Sequence, residues 1–120
     1  MLLRYYGITE SEASLVDALG ATKAEGTNPR TLTRYLRAQG FVAHSRSGRN
    51  IADITADIER GRPVIVAYQA WGGRKVDHSQ SWDHGHYSII ISAAQRITLV
   101  DPSSKRPRRH YDFSDFMGRW

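Results

Sequence analysis

Helical patterns fill the first half of this 120-residue chain and strand patterns fill the second. That order predicts an α+β fold, with N-terminal helices packed on a mainly antiparallel sheet. Two further observations support it. Each helical stretch carries its own stop glycine, and a β-branched run, Val64 to Gln69, precedes a pair of strands about a short turn. The length is that of one domain, taken as residues 1–120, with enough chain to bury a single core.

Met1-Leu2-Leu3-Arg4-Tyr5-Tyr6 has the pattern of the last turns of an amphipathic helix stopped by Gly7, without a cap, as if its front had been truncated. Thr9 and Glu12 fit a capping box for a helix with Ala13, Leu15, Val16 and Leu19 inward and Gly20 as its stop. Asn28-Pro29 caps and opens the next, in which Leu32, Tyr35 and Leu36 repeat at helical spacing up to Gly40. Phe41 to Ser45 alternates as a short strand would. Asn50 opens a third complete helix with Ile51, Ile54 and Ile58 on one face, ended by Gly61 before Pro63. The strands then follow: Val64 to Gln69, His86 to Ala93 and Arg96 to Asp101. A long polar loop, residues 70–85, separates the first two and carries Trp71 and Trp82; loops of that length are often functional. A basic loop and a short helix or turn around Asp112 to Met117 close the chain.

The chain has no cysteine, which excludes disulfides and thiolate metal sites within it. Its apolar runs are too short to span a bilayer, and no targeting segment opens it, so no membrane segment is expected and a cytoplasmic location is the default, with export an option if a signal segment precedes it. Lysine and arginine number 17 against 12 acids, a formal charge of +5. The excess sits in Arg30, Arg34 and Arg37 and in Lys105, Arg106, Arg108 and Arg109. No RNA-binding motif or helix-turn-helix accompanies these clusters, so they read as solvated faces and no nucleic-acid partner is expected.

Gly85-His86-Tyr87 and Asp101-Pro102 stand at the open ends of the two strands that form the hairpin. With an even-length turn between Ala93 and Arg96, Ser88 lies opposite Asp101, and His86 and Asp101 project from one face as diagonal neighbours. Tyr87, Ile89 and Ile91 then point the other way, toward the expected core. An acid so placed fixes the tautomer of an imidazole acting as base and acid. Taken alone, the two residues fit a structural hydrogen bond better than a catalytic pair. His84 and His86, with His78, Asp77, Asp83 or Asp101, form a weaker nitrogen/oxygen metal set, and no metal or other cofactor is expected. Ser79, Ser81, Ser88, Ser103 and Ser104 lack a nucleophile elbow.

Seven phrases in order across the chain resemble the papain-like, bacteriocin-processing cysteine peptidases of family thirty-nine, especially their stand-alone bacterial relatives. They are Leu3-Arg4-Tyr5-Tyr6-Gly7, Gly26-Thr27-Asn28-Pro29, Gly61 to Val66, Gln69-Ala70-Trp71, Gly85-His86-Tyr87, Asp101-Pro102-Ser103 and Phe116 to Trp120. The resemblance implies a papain-like fold and peptide-bond hydrolysis, with His86 as base and Asp101 as its orienting acid. It also implies peptide or protein substrates that meet an edge made by Gln69, Trp71 and Trp82. In that family a glutamine and the nucleophilic cysteine lie just upstream of the Tyr-Tyr-Gly phrase. A thiolate–imidazolium pair needs the thiol, so as it stands the chain is expected to be inactive as a peptidase. A peptidase domain that has lost its N-terminus is the first reading. A degenerate domain that keeps its cleft to bind peptides is the second, and an unrelated basic or metal-binding domain the third.

Overall fold

A computed structural model describes residues 1–72, 76–80, 83 and 85–120. Ser81, Trp82 and His84, singled out above, lie outside the described residues. The chain divides into two compact units, Met1–Gly48 and Arg49–Trp120.

The first unit holds α1 (Leu2–Tyr5), α2 (Glu12–Leu19) and α3 (Pro29–Ala38). The cap of α2 is Ser11 and not Thr9: its side chain accepts the Ser14 N–H at 3.0 Å, two residues beyond the expected start. Both hydroxyls precede the same apolar pattern, and only one can sit beside the first free N–H groups. Asn28 caps α3 as its sequence requires, accepting from the Arg30 N–H with Pro29 at the first position. Ala13 and Val16, expected inward, are exposed, and Leu15 and Leu19 are half-buried. Residues 41–45 form no strand. Val42 is 93% exposed, so the alternation there does not correspond to a buried face.

The second unit opens with α4 (Ile51–Glu59), where Asn50 and Asp53 satisfy each other's backbone N–H groups. Four strands follow, β1 (Val64–Gln69), β2 (Gly85–Ala93), β3 (Ile97–Val100) and β4 (Arg108–Tyr111), then α5 (Phe113–Arg119). The strands pair antiparallel in the order β1-β2-β3-β4. The fold class is therefore α+β, with an antiparallel sheet among the described residues. β4 lies in what was expected to be a basic loop. Its Arg-Arg-His-Tyr sequence has no apolar alternation to reveal it, and charged residues are what an edge strand tolerates.

The core forms on one face of this sheet. Val66 and Tyr68 of β1, Ile90 and Ala93 of β2, and Ile97 and Leu99 of β3 are buried there beneath Ile54 of α4 and Phe116 of α5. The expected core face of β2 is thus corrected: Ile91 is 41% exposed, Tyr87 and Ile89 are half-buried, and Ser88 and Ile90 are inside. Three consecutive isoleucines satisfy either face, so composition leaves the choice to the helices that pack on the sheet.

Register explains how the two ends of the hairpin meet. The turn is Ala94–Arg96, three residues, and an odd turn by itself would set Asp101 opposite Ile89. The ladder runs Ala93↔Ile97 and Ser92↔Thr98, then skips Ile91 and resumes at Ile90↔Leu99 and Ile89↔Val100. This β-bulge absorbs the odd residue. Continued by one step, the register brings Asp101 opposite Ser88, on the face that carries His86.

Candidate active site

β2 delivers His86 at its start, paired with Tyr68 of β1, and β3 delivers Asp101 just beyond its end. The His86 Nε2 lies 2.8 Å from Asp101 Oδ1. Asp101 is 2% exposed. An ionised carboxylate only accepts hydrogen bonds, so Nε2–H is the donor and Nδ1 is the ring nitrogen not committed to the acid.

Asp101 is held from several sides. The Ser103 N–H and hydroxyl both donate to Oδ1, at 2.9 and 2.8 Å, in the turn that the Asp-Pro-Ser sequence favours. Arg109 Nη1 lies 3.4 Å from Oδ2, and the Asp101 N–H donates to the Pro107 carbonyl at 3.1 Å. Burial pushes the Asp101 carboxyl upward, but the hydrogen bonds from His86 and Ser103 outweigh it and hold the group below the ordinary carboxylate range. Burial likewise opposes the charge on Arg109. The Tyr68 hydrogen bond and the Asp101 charge oppose that cost, and the guanidinium is raised further. Burial pushes the neighbouring Tyr111 phenol up to about 12, so it stays neutral beside the site.

Ser103 Oγ lies 3.3 Å from His86 Nε2, which superficially resembles a serine–histidine pair. It is not arranged as one. The same Nε2 already donates to Asp101, whereas an activated serine needs the ring nitrogen opposite the acid. Ser103 therefore orders the acid.

The rings around the imidazole define one edge of the site. Trp71, 45% exposed, has its ring centroid 4.8 Å from that of His86, and Tyr68 lies behind at 6.3 Å. Gln69 is placed differently from Trp71. It is 1% exposed, its amide donates to the His78 carbonyl at 2.6 Å, and its own Oε1 is buried without a partner among the described residues. Its side chain ties the end of β1 to His78. Two shallow, open concavities measure about 420 Å³ beside Arg30, Arg34 and Arg37, and about 350 Å³ beside His78, Asp115 and Arg119. Neither is lined by His86 or Asp101, so chemistry and not concavity locates the candidate site. Among the described residues no group of three or more histidines and acids stands close enough to hold a metal.

Three residues missing from the sequence reading as partners of the dyad now belong to it or its rim: Ser103, Arg109 and Arg119. Ser103 was legible in the Asp-Pro-Ser turn. Arg109 carried only the faint signal of an arginine two residues before Tyr111, an alternation visible once the segment is known to be a strand.

The sequence model described as the Peptidase_C39 like family matches residues 1–120. A match across the whole chain defines the class, and the chain belongs to this peptidase family. Among curated proteins and solved structures, none matches it significantly. It is a cysteine-peptidase-like domain in whose 120 residues no cysteine occurs.

Proposed function

We propose that this chain supplies the histidine–aspartate part of a cysteine-peptidase site, with peptides or proteins as ligands, and that the 120-residue polypeptide by itself binds them without cleaving them. The observation that supports this most is the 2.8 Å bond from His86 Nε2 to a buried, ionised Asp101. It directs the uncommitted Nδ1 toward proton transfer. In the complete reaction Nδ1 takes the proton of a thiol and the thiolate attacks the peptide carbonyl. Nδ1 then returns the proton to the leaving amine, and water releases the acyl group. Asp101 holds the tautomer and stabilises the imidazolium throughout.

Within this chain no thiol is present to begin that sequence. Trp71 forms the exposed edge against which a peptide would lie, and Gln69, tied to the His78 carbonyl, and Trp82, outside the described residues, complete the proposed substrate contacts. A basic nucleic-acid-binding or metal-binding role is the less favoured reading.

Calorimetry with unstructured peptides, paired with mass spectrometry of the same mixtures, tests the proposal. Saturable binding without new fragments is expected, with Trp71→Ala weakening affinity by about tenfold, the scale of an aromatic anchor. New peptide fragments produced by the wild-type chain, or no saturable binding at any concentration, would overturn it.

A further inference from the structure

Two arginines from separate elements converge on the short segment that follows β1. Arg119, on α5, is 8% exposed, and its Nη1 and Nη2 donate to the carbonyls of Gln69 at 3.2 Å and Gly72 at 3.3 Å. Its Nε is anchored on Asp115 at 3.0 Å, and its guanidinium lies 5.4 Å from the centre of the Tyr111 ring. Arg109, on β4, donates through Nη1 to the Ala70 carbonyl at 3.3 Å, and the same nitrogen is 3.4 Å from Asp101 Oδ2. Gln69, Ala70 and Gly72 are thus held by guanidinium groups, and Trp71 is the residue between them. Gly72 turns the chain there in the left-handed region, φ +94°, where an added Cβ would come within 3.0 Å of the His78 and Val76 side chains.

The geometry points to Arg109 and Arg119 as positioning residues. Together they clamp the Gln69–Gly72 carbonyls and so fix the Trp71 indole against the His86 ring. Arg109 adds a direct link from this edge to the acid of the dyad. A planar guanidinium with several donors can bridge acceptors that an ammonium group satisfies singly, which is why the role needs arginine. Ala70 and Gly72 lie beyond the end of β1, where the ladder supplies no donor, and the two guanidinium groups supply donors there. The inference rests on the reading of Trp71 as the edge of the His86 site, yet it concerns placement and not ligand affinity.

The test uses NMR of the histidine ring protons in the intact chain, because an indole at 4.8 Å displaces the His86 resonances by its ring current. Trp71→Ala should abolish that displacement and set the full scale. Arg119→Gln is expected to move the His86 resonances most of the way to the Trp71→Ala position while keeping the downfield Nε2–H signal that Asp101→Asn removes. Arg109→Gln should move the same resonances and broaden the Nε2–H signal as well, because it touches Asp101. Lysine at either position should restore less than half of the displacement. Folded Gln variants with wild-type His86 resonances would overturn the proposal.

Should the variants fail to fold, nitrogen-15 spectra of the wild-type arginines decide: slow Nη rotation at both residues supports the clamp, and free rotation at either overturns it. Peptide binding is not a readout here, so its absence would count against the proposed function and leave the clamp standing.

Discussion

The two ends of the hairpin made by β2 and β3 share one sheet face and bury opposite chemistry. Near the turn, Ile90, Ala93, Ile97 and Leu99 pack against Ile54 and Phe116, and the burial is apolar throughout. At the open end, Ser88, His86 and Asp101 sit on the same face, and what is buried is a carboxylate with hydrogen-bond donors on both oxygens. The first end gains stability from area removed from water, roughly 25 cal/mol for each Å². The second pays to desolvate a charge and recovers it through Ser103, His86 and Arg109. A continuous face can therefore carry both core and site, provided the polar end is fully partnered.

The largest expected effect lies at the apolar end. Leu99→Ala should lower unfolding free energy by about 2–5 kcal/mol, the range for a fully buried leucine that leaves a cavity, as read by chemical denaturation. Asp101→Asn at the other end should cost less, about 1–3 kcal/mol, because the amide oxygen can still accept from Ser103 while Arg109 loses its acceptor and the charge-assisted bonds weaken. If Asp101→Asn instead proves neutral or stabilising, the polar end is maintained for chemistry at no benefit to the fold.

Acidity separates the two ends more sharply. The Asp101 carboxyl titrates below its ordinary range in the folded chain, so it contributes stability that is fully present above the unfolded value, near pH 4, and is lost as pH falls through the folded value. The stability gap between wild type and Asp101→Asn should therefore close as pH falls below about 4, while the gap to Leu99→Ala persists. Parallel denaturation series in that range check both statements. A gap at Asp101 that stays constant to strong acid would break the comparison.

A deletion is expected to do least. Removing one isoleucine from Ile89–Ile91 leaves a chain that can form a regular ladder, because Ile91 is the residue the register skips. His86 and Asp101 should still meet, as the downfield Nε2–H signal would report, and stability should fall by less than for Leu99→Ala. Loss of that signal in a folded deletion variant would mean the bulge aims the dyad and does more than absorb a residue.

Much of this was legible before any coordinates. The bounds of β1 follow from its β-branched run, α4 from Asn50 and its isoleucines, and α3 from Asn28-Pro29. Those signals are local, acting within one turn of helix or one strand. His86 and Asp101 were legible as candidates because their phrases stand at the ends of a hairpin. Errors arose where a segment's state depends on what lies beside it. Residues 41–45 alternate but gain no strand partner, β4 is polar and became a strand through β3, and the face of β2 was ambiguous among three isoleucines.

The sequence by itself determined the α+β order of helices before strands, the caps of α3 and α4, the absence of a thiol in this chain and the histidine and aspartate that pair. These are properties of residue types and their short-range neighbours. Only the tertiary structure decided that an odd turn and a bulge cancel, so that Asp101 reaches His86, and that Arg109 and Arg119 leave the basic excess to bind carbonyls beside Trp71. Both outcomes depend on pairings between distant segments, where the position of one residue is fixed by backbone groups dozens of residues away.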